Sequence, residues 1–351
     1  MGKTGHNTIG NIDMKKIVLF ISLLILIVPA VSRAESQGGF AGSFLNMPVN
    51  ARTAAMGGAF NAVSNDGAAM LYNPAGLQTM TDKVFTSSYR AMKLDRMLGF
   101  ISFILPTHRE SSLGFSWVYA GYGDVERRNI SGQLTGETIS ANEHDFAVSF
   151  AKRFMPYLAV GTRLNYYTKN MADLRASSVG INIGSILYID SLFRYGEMDS
   201  KVITDITAGL VIKNFAAKYP WESKGVGLSA TQTDKFPLSV GIGSSFKALR
   251  RKLLVASDLE LQVKTVEWDE STGDGTVTQK ETYTDSYFRI GGEYNAIDNL
   301  LLRAGLNNGV LTAGAGFVFN FNFGSLQFDY AFSGDKVDEG EDHVVTLGIR
   351  F

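Results

Sequence analysis

From about residue 83 onward the chain alternates large apolar side chains with small or polar ones, and this sustained period of two is what most narrows its possible folds. Leu238, Val240, Ile242 and Phe246 fall on one face of a strand, and Ser239, Gly241, Gly243 and Ser245 on the other. In the same way Leu253, Val255, Leu259 and Leu261 oppose Leu254, Ala256, Asp258 and Glu260. Leu326, Phe328, Tyr330 and Phe332 oppose Gln327, Asp329 and Ala331. Segments of this kind lie near 84–90, 97–105, 111–120, 143–152, 157–167, 176–189, 202–213, 236–247, 252–263, 284–294, 299–306, 311–320, 323–332 and 342–351, fourteen in all.

An even number of such strands is what a closed bacterial membrane barrel requires, with short turns at one end and longer loops at the other. The connections follow that rule. Long, polar ones near 121–142, 168–175, 214–235 and 264–283 alternate with tight ones near 106–110, 153–156, 248–251 and 295–298, and the 190–201 connection is a longer exception on the tight side. A soluble β-sandwich also alternates, but its solvent face is freely charged, whereas here the second face is mostly Gly, Ser, Ala and Asn. The 37 Gly against 7 Pro suit many strands joined by tight turns. The expectation is an all-β membrane fold, a transmembrane antiparallel β-barrel of about fourteen strands. The chain ends on Phe351, with Val345, Leu347 and Ile349 on the same face. A terminal aromatic on a final amphipathic strand resembles the signal read by the outer-membrane assembly machinery, an expected partner alongside outer-membrane lipid.

The first 34 residues read as an export signal, with Lys15 and Lys16 before the apolar run Ile17 to Val28 and the small-residue ending Ser32-Arg33-Ala34. Cleavage is expected after Ala34. Met14 precedes the lysines directly, so residues 1–13 are read as lying upstream of the true start. The apolar run is too short to span a bilayer, and no later window approaches the ~18 apolar residues of a membrane helix, so any span must be built from strands.

Other classes fall away on composition. With 33 Lys and Arg against 34 Asp and Glu, the chain has no basic surplus for nucleic acid. Without cysteine there is no disulfide framework, thiol catalysis or acylated anchor. His6, His108, His144 and His343 are scattered without metal-ligand spacing, and neither a GxSxG elbow nor a P-loop occurs. No cofactor and no enzymatic activity are expected.

Residues 35–82 break the alternation and read as a separate unit before the barrel at 83–351. Asp66 is placed to cap a turn over Ala68 to Tyr72, and Asn73-Pro74 to cap and start a short helix that Gly76 ends. Phe44, Leu45, Met56, Phe60, Leu71, Tyr72 and Leu77 are too many apolar groups to leave in water. The run Arg52-Thr53-Ala54-Ala55-Met56-Gly57-Gly58-Ala59-Phe60-Asn61-Ala62-Val63, with Asn65-Asp66, Ala68-Ala69 and Asn73-Pro74-Ala75-Gly76-Leu77, closely resembles the N-terminal signature of the PorV/PorQ family. That family belongs to the wider FadL-like group of outer-membrane barrels. The resemblance implies fourteen strands and an N-terminal plug, or hatch, with small helices inside the lumen.

Charges remaining within the strands, Arg163, Asp258, Glu260, Arg289, Glu293, Arg303 and Asp329, are assigned by alternation to the lumen. There they serve as a polar pathway or plug contacts, or as ion pairs holding the wall. Phe215, Tyr219 and Trp221 cluster in a long polar loop, either as an exposed site for a hydrophobic ligand or partner or as part of an interfacial girdle. Two functions follow from the resemblance. One is a passive conduit for hydrophobic small molecules across the outer membrane, and the other a PorV-like, type IX-like secretion component that binds or hands over exported proteins.

Overall fold

A computed structural model describes residues 40–107, 110–129, 131–172, 174–193, 203–223, 233–272, 275–334 and 341–351. The expected export signal at 1–34 and the first residues of the 35–82 unit lie outside the described residues.

Fourteen long strands form a closed transmembrane antiparallel barrel. They are β1 Val84–Ala91, β2 Met97–Thr107, β3 Ser111–Arg128, β4 Leu134–Met155, β5 Leu158–Met171, β6 Leu174–Tyr188, β7 Ile203–Phe215, β11 Leu238–Ala248, β12 Leu253–Thr272, β13 Gly275–Ile297, β14 Leu300–Asn307, β15 Val310–Phe321, β16 Gly324–Ser333 and β17 Asp342–Arg350. The short strands β8 Lys218–Pro220, β9 Glu222–Ser223 and β10 Thr233–Lys235 fall between β7 and β11. Each long strand pairs with its sequence neighbours, and β1 closes the ring on β17 with Val84 opposite Arg350 and Ala91 opposite His343. Closure leaves no long sheet edge at bilayer depth, where an unpaired backbone group costs several kcal/mol. The faces follow the alternation. On β11 Ser239, Gly241, Gly243 and Ser245 are buried, while Leu238 and Ile242 are exposed to the bilayer.

The far connections differ from the sequence reading. Residues 121–142 and 264–283 are mostly strand, because β3 and β4 run 18 and 22 residues and β12 and β13 run 20 and 23. At ~3.3 Å per residue β4 spans roughly 70 Å, far beyond the ~30 Å hydrocarbon layer. These hairpins therefore project beyond the membrane, where polar residues suit both faces and the alternation that marks a strand disappears. The 168–175 connection shrinks to residues 172–173.

Residues 40–80 lie inside the ring, and Thr81 and Asp82 are exposed ahead of β1. A 3-10 turn at Ser43–Asn46, a helix at Ala51–Ala55, a helix at Ala69–Tyr72 and a 3-10 turn at Pro74–Thr79 lead into β1. The Asn50 side chain caps the second element by accepting from Thr53 N at 2.9 Å, and Asn73 caps the last by accepting from Ala75 N at 3.1 Å. Asp66 accepts from Ala68 N at 2.8 Å, ahead of the Ala69–Tyr72 helix. Gly76 does not end the last turn, which continues through it to Thr79. Its role is steric, since any Cβ there would run into the Ser64 backbone.

Candidate functional site

The lumen has two unlike walls, and the N-terminal segment is fitted between them. One wall is a ladder of buried charges. Arg52 of the segment donates from Nε to Glu293 Oε2 at 2.7 Å and from Nη2 to Oε1 at 2.8 Å, and it also reaches Asn65 at 2.6 Å and Asp66 at 3.3 Å. Glu293 accepts in turn from Arg303 at 2.7 Å, and Arg303 donates to Asp329 at 2.6 Å. The chain Asp66–Arg52–Glu293–Arg303–Asp329 thus ties the segment to β13, β14 and β16. Asp258 on β12 accepts from the backbone N–H groups of Phe60 and Asn61 at 2.7 and 2.8 Å. Glu260 accepts from Arg289 at 2.5 Å and stands 3.7 Å from Lys213. Away from that wall, beside β3, Arg163 on β5 donates to Asp145 on β4 at 2.6 Å.

All seven inward charges named from the sequence therefore face the lumen, and they divide between the two roles considered. Glu293 and Asp258 bind the segment directly, Arg303 and Asp329 extend the Glu293 contact, and Arg163, Glu260 and Arg289 make pairs between barrel strands. Sequence reasoning missed the partners Asp145, Lys213, and Arg90, which pairs with Asp342 at 2.5 Å and donates to Pro48 O at 3.1 Å. Their inward parity within strands was the available signal.

The opposite wall is apolar. Leu98, Phe100 and Val118 are fully or almost fully buried and pack with Ala120 against Phe44, Val49, Phe60 and Tyr72 of the segment. Further along, Ile104 packs with Met70 and Leu77. An outer-membrane barrel interior is ordinarily polar, so apolar side chains on both faces of β2 depart from the rule. The run Met97-Leu98-Gly99-Phe100-Ile101 carried that signal in the sequence.

The glycine signature is explained by backbone proximity. Gly57 has φ of +64°, and a Cβ there would stand 2.6 Å from the carbonyl oxygen of Leu306. Across the contact, a Cβ on Gly305 would sit 2.5 Å from Gly57 N, so segment and wall touch backbone to backbone. Gly58, with φ of +80°, lies over the Arg289 side chain, and Met56 is wholly buried. The Arg52 guanidinium lies 5.2 Å from the Phe60 ring centre, and Phe60 meets Tyr72 edge to face at 5.4 Å. Asn73 donates to Asn61 O at 2.9 Å and Ser185 O at 3.0 Å, while Pro74 abuts Gly161.

The three loop aromatics do not form one exposed patch. Tyr219 is buried in β8, its ring 4.8 Å from Phe236, which stacks on Tyr167 at 4.6 Å. Trp221 is half-buried and donates to Asp234 at 2.6 Å. Phe215 stands apart, exposed at the end of β7. The loop folds inward because Ala41 and Leu45 of the N-terminal segment offer its rings an apolar floor. Phe351 exchanges backbone hydrogen bonds with Lys83, both 3.0 Å, and its ring remains half-exposed. His144 lies beside the outward rings of Trp117 and Phe146, His343 bonds Tyr330, and His108 lies outside the described residues. No metal-ligand cluster occurs among the described residues.

Two voids of about 20 Å³ each lie between segment and wall, both bordered by Leu45, Asn46, Leu71, Lys213 and Glu260. Each has room for roughly one water.

Comparison with solved structures finds the same architecture. The fold is FadL-like. A Pseudomonas aeruginosa FadL homologue superposes with a TM-score of 0.57 at 12% identity, covering 90% of this chain and 99% of the other. The CymD monoaromatic hydrocarbon channel gives 0.56 at 14%, covering 86% and 96%. The Pseudomonas putida toluene transporter TodX gives 0.54 at 13%, covering 85% and 95%. At such identities the likeness is one of fold. Neither protein-family profiles nor curated protein sequences yield a match.

Proposed function

We propose that the chain is a passive conduit for hydrophobic small molecules across the outer membrane, with residues 35–82 as a plug whose displacement opens the route. The observation that carries this reading is the apolar strip of Leu98, Phe100, Val118 and Ala120 on an inner wall, sealed beneath the plug. A porin for polar solutes gains nothing from such a strip. A hydrophobic solute, by contrast, finds there a surface worth about 25 cal/mol per Å² of contact. The hydrocarbon channels of like fold support the same solute class by analogy. The export signal and the outer-membrane location belong to this proposal, as does the PorV/PorQ-type character of the plug.

Uptake of a radiolabelled monoaromatic hydrocarbon and of sucrose by cells with and without the protein tests it. Hydrocarbon uptake should rise while sucrose uptake does not, and the paired change Phe100→Tyr and Val118→Thr should lower the gain in barrels that still fold. Hydrocarbon uptake equal to that of cells lacking the protein would remove the conduit reading and favour a role in handling exported proteins.

A further inference from the structure

One concavity of the described molecule lies outside the lumen. It is a groove of about 590 Å³ on the bilayer-facing wall, crossing β2 to β6. Its volume lies within the ~300–1,000 Å³ of small-molecule sites.

The strand register explains how the groove is built. Ile101 stands opposite Trp117, Trp117 opposite Phe146, Phe146 opposite Tyr166, and Tyr166 opposite Val179, so one row of outward side chains runs unbroken across five strands. A second row runs parallel to it, with Phe103 opposite Phe115, Phe115 opposite Val148, and Val148 opposite Leu164. Between the rows lies the pleat of Ser116, Ala147 and Asn165, cross-strand partners whose buried side chains turn inward and leave the outer side bare. Aromatic rings therefore form tall banks and the backbone forms the floor.

We infer that this groove is a binding site for one acyl chain of a resident membrane phospholipid. The occupant follows from position and length. The site opens onto the hydrocarbon layer and is lined by apolar banks. Its upper row crosses four strand spacings of ~4.8 Å, about 19 Å in all. With strands tilted ~35–45°, that row descends roughly 13 Å, close to one leaflet of a ~30 Å hydrocarbon core. A chain lying in it replaces contacts with mobile neighbours by contacts with fixed rings on two sides.

This inference needs the barrel in a bilayer but not the conduit activity, so the two can fail separately. The test is native mass spectrometry of the barrel reconstituted in dioleoyl phosphatidylcholine vesicles and extracted into mild detergent. One phospholipid should remain on each barrel through washing. Val148→Trp combined with Val179→Trp should fill the groove and lower that occupancy about tenfold, as a loss of ~1.4 kcal/mol gives. Both positions already face the bilayer with exposed apolar side chains, and heat-modifiable mobility will verify folding. Leu302→Trp, on the bilayer face of β14, should leave occupancy unchanged. Retention that is absent, or equal in the filled variant, overturns the site. Retention of a non-phospholipid hydrophobic molecule in its place overturns the assigned occupant.

Discussion

Arg52→Met should loosen the N-terminal segment without unfolding the barrel. The substitution keeps an unbranched apolar stem and removes the two bonds to Glu293 and the contacts to Asn65 and Asp66. A hydrogen bond to a charged group is worth about 1.5–3 kcal/mol, and breaking a buried pair costs ~3–5 kcal/mol when the remaining charge is stranded. Glu293 is not stranded, because Arg303 stays 2.7 Å away. The net cost to seating is therefore placed at the lower end, about 2–3 kcal/mol. At ~1.4 kcal/mol per factor of ten, local opening rises roughly 30- to 140-fold. Amide exchange of residues 52–72 in the intact barrel, followed by mass spectrometry, reads that factor directly. Exchange in β12 and β13 should stay as in the parent protein. Arg127→Met serves as control, because the Arg127–Glu137 pair at 2.9 Å is exposed and holds nothing buried. Exchange of residues 52–72 within twofold of the parent would refute the assignment of Arg52 as the tie.

Facing is tested by one substitution at adjacent positions of β16. Phe328→Arg puts a charge on the bilayer face at a cost of up to ~2–4 kcal/mol and should sharply lower folded yield, whereas Gln327→Arg points inward beside Asp329 and should fold. Equal yields would show that the faces are exchanged. For location, the mature protein should begin near Glu35 and fractionate with the outer membrane, as N-terminal sequencing of the fractions will show. An uncleaved form in the inner membrane would contradict it.

Much of the barrel was legible because a strand with lipid on one side and a filled lumen on the other must alternate, as at Leu238 to Phe246. Legibility ended where that boundary condition ends. Where β3–β4 and β12–β13 run past the length a bilayer needs, the alternation is lost, so the 121–142 and 264–283 segments looked like loops. Tyr219 was misplaced for the opposite reason. Its neighbours are polar, but the rings that bury it, Tyr167 and Phe236, and the floor at Ala41 come from distant parts of the chain. The glycine signature was visible, yet its cause was not, because the atoms Gly57 must approach belong to Leu306.

The two inner walls suggest why one lumen carries both chemistries. A plug held only by apolar packing would present no geometric preference, since hydrophobic contact is non-directional and roughly proportional to area. A plug held only by charges would leave polar walls on opening, and hydrocarbon would not follow. Here the contacts to buried carboxylates, Arg52 to Glu293 and the Phe60 and Asn61 amides to Asp258, lie on β12 and β13, with neutral hydrogen bonds elsewhere around the ring, while Leu98, Phe100 and Val118 lie on β2 and β3. Breaking the carboxylate contacts loosens the segment, and the surface it leaves behind on β2 and β3 is apolar. In this arrangement the charges set the stability of the closed state and the apolar strip sets which solutes use the open one. Charge substitutions should therefore alter how often the route opens without changing its solute preference, and substitutions at Phe100 or Val118 should do the reverse.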